Sequence, residues 1–82
     1  MKVIKFYADW CGPCKSYAPI FDKVVNEIKV DYVKVNLDKD TDGLAAKYKI
    51  RSIPATVFIN EDGTFTKEVG LLTEDKLKQL IK

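Results

Sequence analysis

The chain has 82 residues, of which 46% are hydrophobic and 32% charged, with 14 basic side chains against 12 acidic ones. That length gives one domain, 1–82, with no room for a second core and with apolar content typical of an ordinary globular protein. A net charge of only +2, with the signs interspersed, lacks the basic footprint of a nucleic-acid binder or of a protein held at an anionic membrane, so neither partner is expected.

Charge appears at Lys2 and Lys5, too early for the apolar stretch of a signal peptide. No run approaches the roughly 18 apolar residues that a transmembrane helix requires. These features predict a cytoplasmic protein, and two cysteines in a reducing compartment point to redox or metal chemistry more than to a permanent cross-link.

Val3-Ile4-Lys5-Phe6-Tyr7-Ala8 is short, apolar and rich in strand formers, and it predicts a largely buried strand. The turn residue Asp9 and the segment Trp10-Cys11-Gly12-Pro13-Cys14 follow at once. Tyr17, Phe21, Val24, Val25 and Ile28 then recur at helical spacing, with Asp22, Lys23, Asn26, Glu27 and Lys29 on the opposite face. The cysteines therefore fall on the loop and first turn of a helix, and Pro19 removes one hydrogen bond from its interior.

Tyr32 to Leu37 alternates with period two, as a strand with one buried face does. A strand, a helix and a strand in this length predict a parallel βαβ unit with a right-handed crossover. The polar stretch Asp38–Gly43 leads into a short helix around Leu44–Tyr48. Ala55–Ile59 and Thr64–Val69 are two strands joined by the turn residues Asn60-Glu61-Asp62-Gly63, a hairpin. Thr73 caps a last helix with Leu77, Leu80 and Ile81 facing inward, and Leu72 with Leu77 predicts a hydrophobic staple. The order β-α-β-α-β-β-α places three helices over both faces of a four-stranded mixed sheet, an α/β fold.

Cysteines separated by two residues at a helix start carry a chemical meaning. Unpaired backbone N–H groups and the positive end of the helix dipole favour a thiolate, which is the attacking species in disulfide exchange. Gly12 permits close approach of another backbone, and Pro13 suits an early helical position because its missing N–H has no partner to lose there. A structural staple is the weaker reading, because so short a loop removes only ~2 kcal/mol of unfolded-chain entropy against ~3 for a 15-residue loop. Half of a zinc site is weaker still, since the chain has no histidine and no third cysteine. A pair of inert core cysteines fits poorly with a tryptophan–glycine–proline turn at a strand end.

Trp10-Cys11-Gly12-Pro13-Cys14-Lys15 resembles the active-site motif of the thioredoxin family. The resemblance continues through Ala18-Pro19, Lys34-Val35-Asn36-Leu37-Asp38 on the second strand, Tyr48-Lys49-Ile50-Arg51-Ser52-Ile53-Pro54 before the third, and Val69-Gly70 at the end of the fourth. It spans nearly the whole chain but lacks the extra strand and helix that usually precede the first strand in thioredoxins, leaving a minimal, glutaredoxin-sized fold.

The resemblance implies a thiol–disulfide oxidoreductase with Cys11 as the exposed nucleophile and Cys14 as the resolving cysteine. It implies a cis peptide at Pro54, facing the cysteines, and pairing of the Ile53 backbone with an extended substrate. Gly70 lines the same groove, Trp10, Pro13 and Ile53 supply an apolar docking surface, and Asp38 accepts a hydrogen bond from the Trp10 indole. The implied partners are protein disulfides and a thioredoxin-reductase-like protein, with the chain a monomer. No cofactor or metal is implied beyond the cysteine pair itself.

One position departs from the family pattern. Thioredoxins carry a buried aspartate six residues before the nucleophile, where this chain has Lys5, while the lysine that partners that aspartate matches Lys34. An ammonium near Cys14 favours its thiolate where a carboxylate disfavours it, so Lys5 predicts a less reducing pair, provided it points beneath the active site. Two alternatives are a glutathione-recharged, glutaredoxin-like enzyme and a thioredoxin-like binding module without turnover. The Gly-Pro between the cysteines and the single Gly70 speak against the first, and survival of function in Cys→Ser variants marks the second.

Overall fold

The apolar run near the start forms a central strand buried on both faces, which is why it shows no clean alternation. In the computed structural model, which describes residues 1–81, this strand is β1 (Lys2–Tyr7). It is followed by α1 (Gly12–Ile28), β2 (Asp31–Asn36), a single 3₁₀ turn over Leu37–Lys39, α2 (Leu44–Lys47), β3 (Ala55–Ile59), β4 (Phe65–Val69) and α3 (Glu74–Leu80). The strands lie in the order β2-β1-β3-β4, with β1 parallel to β2 and antiparallel to β3, and β4 antiparallel to β3. The expected four-stranded mixed sheet with three helices is therefore the observed architecture.

Alternation along β1 divides the core. Val3 joins Tyr17, Phe21, Val24 and Val25 of α1, Phe58 of β3, and Leu72, Leu77 and Ile81 around α3. Ile4 and Phe6 turn to the opposite face, where Val35, Tyr48, Ala55 and Val57 close over them and Leu44 and Ala45 of α2 pack alongside. Helices α1 and α3 thus cover one face and α2 the other.

Local chemistry sets the ends of the elements. Thr73 accepts a hydrogen bond from the Lys76 N–H at 3.1 Å, and Leu72 and Leu77 lie in one cluster, so the predicted cap and staple both form. In the hairpin, Asn60 N–H donates to the Thr64 carbonyl at 2.8 Å, while Gly63 adopts φ 90°, a conformation that suits glycine.

Three local expectations are corrected. Ile28 is exposed, because it closes the last turn of α1 before the chain reverses at Lys29, beyond the reach of the core. Leu37 and Asp38 lie in the 3₁₀ turn and not on the second strand, where Asn36 Oδ1 accepts the Asp38 N–H at 2.9 Å and draws the backbone out of the ladder. Asp22, expected on the solvent face of α1, turns toward β2.

Tyr17 and Thr56 meet beneath α1, with hydroxyl oxygens 2.8 Å apart and both side chains fully buried. Burial pushes the phenol up to about 12 from 10.0, outweighing the opposing effect of the Thr56 hydrogen bond. The folded state thus favours the neutral phenol. Its contribution is fully present below the unfolded value and is lost as pH climbs from about 10 to about 12. Tyr17→Phe is expected to lower stability at neutral pH by about 1 kcal/mol through the lost hydrogen bond. Its denaturation midpoint should also fall less than that of the native chain over the alkaline interval, as chemical denaturation at a series of pH values will show.

Candidate active site

Strand β1 delivers the chain to the cysteines. After Tyr7, the Cys11 N–H donates to the Ala8 carbonyl at 3.2 Å, a turn that sets Cys11 as the N-cap of α1 with extended backbone (φ −90°, ψ 108°). Gly12 and Pro13 occupy the first helical positions and are exposed, and Cys14 lies one turn in. Cys11 and Cys14 form a disulfide. The Cys14 N–H points at Cys11 Sγ, 3.2 Å away, so the capping acceptor is the sulfur itself. No acidic residue lies in the first turn to oppose negative charge there. A thiolate at Cys11 gains both this N–H and the helix dipole, the arrangement that lowers a thiol pKa.

The two cysteines are buried to nearly the same degree. Cys11 is 5% exposed and Cys14 4%, which corrects the expectation of an exposed Cys11. Ala8 shares one apolar cluster with the two cysteines, and Tyr7 and Ile53 pack against it. The distinction lies in their neighbours: Cys11 Sγ is the sulfur that faces Ile53, with the Ile53 carbonyl oxygen 3.8 Å away.

The remaining site residues converge from distant parts of the chain. The Ile53–Pro54 peptide is cis, as the resemblance implied. The Pro54 carbonyl accepts the Gly70 N–H at 2.8 Å, which ties the end of β4 to the segment facing Cys11. Gly70 has φ 98°, a conformation that suits glycine, and a Cβ built there meets no atom within 4 Å. Trp10 is 68% exposed, and its indole N–H donates to Asp38 Oδ2 at 3.1 Å. That bond holds a large aromatic side chain in water; Pro13 is likewise exposed and Ile53 half-buried. Of the residues expected to dock a substrate, Ile53 is the one in contact with Cys11 Sγ, and Gly70 is tied to that segment through Pro54.

A further group of charged residues lies on the side of Cys14. Lys5 is 3% exposed and lies under α1, with Nζ 5.2 Å from the ring centroids of both Tyr7 and Phe21. Sheet register sets Lys34 of β2 and Thr56 of β3 directly beside it. Burial, then the nearby Lys34 charge, holds the Lys5 amine below its ordinary value, with Asp22 pulling weakly the other way. Lys34 Nζ lies 2.7 Å from Asp22 Oδ1, an ionic contact off the hydrogen-bond axis. Asp22 is the residue that sequence reasoning missed. Its signal was available: parallel strands that set two lysines side by side call for a carboxylate, and Asp22 is adjacent in sequence to the inward-facing Phe21. Among the described residues, no group of three or more His, Cys, Asp or Glu side chains is placed to hold a metal ion. No described helix is long and apolar enough to cross a membrane.

Comparison with known proteins agrees with this geometry. The family model described as Thioredoxin matches residues 1–82. A thioredoxin of Mycoplasmoides gallisepticum is 40% identical over 81 residues, covering 98% of this chain and 80% of its own. A thioredoxin of Borreliella burgdorferi is 42% identical over 82 residues, with coverages of 98% and 69%. Among solved structures, that of Fasciola hepatica thioredoxin superposes with a TM-score of 0.86 at 36% identity, covering 98% of this chain and 76% of the other.

Proposed function

The chain belongs to the thioredoxin family and is a thiol–disulfide oxidoreductase, and on that premise we propose that Cys11 attacks the disulfides of protein substrates and Cys14 resolves the product. The observation that carries this assignment is the Cys14 N–H directed at Cys11 Sγ across the first turn of α1, which prepares that sulfur for negative charge.

In the reduced form the Cys11 thiolate attacks one sulfur of the substrate disulfide. A Cys11–substrate bond forms, the substrate S–S bond breaks, and its electron pair leaves on the second substrate sulfur, which takes a proton from water. Cys14 then loses its proton and attacks Cys11 Sγ. The intramolecular disulfide forms, the mixed disulfide breaks, and the second substrate thiol departs. Two electrons have passed to the substrate without a separate cofactor, and a reductase partner restores the dithiol.

Trp10, Pro13, Ile53, Pro54 and Gly70 form the substrate rim in this proposal, with an extended segment lying against the Ile53 backbone as a brief added strand. The monomeric state and the cytoplasmic setting expected from the sequence belong to the same proposal. The glutathione-recharged and purely binding alternatives are not favoured by the relatives, which are thioredoxins by name.

The test is a trap. Cys14→Ser, incubated with a protein disulfide, is expected to accumulate a mixed disulfide visible on a non-reducing gel, and Cys11→Ser is expected to accumulate none. Trapping by Cys11→Ser alone would reverse the two roles, and trapping by neither would remove the exchange mechanism.

A further inference from the structure

A pocket of ≈ 430 Å³ opens behind the disulfide, lined by Lys5, Tyr7, Asp9, Cys14, Lys15 and Lys34 among others. It lies on the side of α1 that faces the sheet, and Cys14 is the cysteine that lines it. Its buried wall carries an unusual charge arrangement. Lys5 and Lys34 are side by side on adjacent strands, like charges that destabilise one another, and the ion pair that Asp22 forms is with Lys34. Among the described residues, no acceptor hydrogen-bonds or ion-pairs with Lys5 Nζ, which rests only against two aromatic faces. An ammonium with so little compensation is expensive to bury.

Every charged group around the pocket enters the balance. Asp9 at the end of β1 and Lys15 on α1 face it from its rim, and both are exposed to solvent, which screens them. Asp22 on α1 and Lys34 on β2 largely cancel. Tyr7 adds a phenol on the strand that carries Lys5. That leaves Lys5 as the cation on the pocket wall without an ion-pair partner and Cys14 as the buried thiol in the same pocket that can become an anion.

Resting on the oxidoreductase reading, we propose that Lys5 is a positioning residue for the resolving step: its ammonium supplies the charge that lets Cys14 give up its proton and attack the mixed disulfide. The Cys14 proton passes to water in the pocket, whose volume holds several molecules, and leaves through the open side. The thiolate forms opposite Lys5, attacks Cys11 Sγ, and loses its charge as the S–S bond closes. The lowered proton affinity of the Lys5 amine agrees with a cation that lacks its anion in the disulfide form.

The Cys14 thiol can be titrated directly by its ultraviolet thiolate absorbance in the Cys11→Ser background, with no substrate involved. Adding Lys5→Met is expected to raise its pKa by about one unit or more, Lys5→Asp further, and Lys5→Arg to leave it near the starting value. Mixed-disulfide resolution by Lys5→Met should slow about tenfold below the thiol pKa, with its pH profile displaced by the same amount. Its equilibrium with glutathione should move toward the disulfide.

A second measurement uses the unaltered chain. Coupling is reciprocal, so the Lys5 ε-carbon NMR resonance should titrate at higher pH in the dithiol than in the disulfide form. Thiol titrations unmoved by Lys5→Met and Lys5→Asp overturn the proposal, as does a Lys5 titration identical in both redox forms. Failure of the trapping experiment bears on the function alone, because the titrations need no turnover.

Discussion

Replacing Cys11 by serine is expected to abolish reduction of a protein disulfide, leaving the rate seen without the protein when dithiothreitol supplies the electrons. The N-terminal turn of α1 is built around a sulfur acceptor: Cys11 is the N-cap, and the Cys14 N–H approaches its Sγ at 3.2 Å. A serine hydroxyl can accept the same N–H, so the helix should still start at the same place. An alcohol, however, stays protonated under conditions where a helix-start thiol ionises, and disulfide exchange needs the anion.

The remaining thiol cannot take over. Cys14 lines the inner pocket, while Cys11 Sγ is the sulfur that faces Ile53. The variant also loses the cross-link, which contributes about 2 kcal/mol to the oxidised native chain by the loop-entropy relation. The comparison is therefore made against reduced native protein, with the fold confirmed by circular dichroism. Exchange by Cys11→Ser at a substantial fraction of the native rate would make Cys14 the attacking sulfur.

Phe21→Ala is expected to lower unfolding stability by about 3–5 kcal/mol, as complete loss of a buried phenylalanine ring does. Phe21 is fully buried on α1. Its ring meets Tyr17 at 5.9 Å and Tyr32 of β2 at 5.8 Å, both edge to face, and carries the Lys5 ammonium 5.2 Å from its centroid. The substitution opens a cavity, breaks two aromatic contacts and removes one of the two faces against which Lys5 rests.

A domain of this size holds a total stability toward the lower end of about 5–15 kcal/mol, so much of the margin would go. The guanidinium midpoint should fall with its slope unchanged, and Phe21→Leu should lie between variant and native. A loss below about 1 kcal/mol would mean that α1 and the sheet close over the vacated volume.

Much of the fold was legible because its determinants are local. The apolar run of β1, the 3.6-residue spacing from Tyr17 to Val25, the Asn60–Gly63 turn, and the Leu72-Thr73-Leu77 cap and staple each lie within one short segment. The cysteine pair was legible for the same reason: two residues of spacing, a strand before it and a helix after it are all adjacent in sequence. What was misread depended on neighbours far along the chain. Ile28 fits the helical stripe, yet the core ends before its turn. The family resemblance implied an exposed Cys11, yet Ile53, 42 positions later, packs against it.

The kind of chemistry follows from local sequence, because the strand, the Cys11–Cys14 spacing and the helix that begins at Gly12 are contiguous in the chain. Local sequence also determined the element order, since period and turn residues act over a few positions. Tertiary structure alone decided the electrostatics behind the disulfide. Sheet register brings Lys34 beside Lys5, and the rotation of α1 about its axis aims Asp22 at Lys34. Those relations arise only when surfaces pack. Coulomb interactions depend on distance and burial, and neither can be read from a string of residues before the strands have found their neighbours.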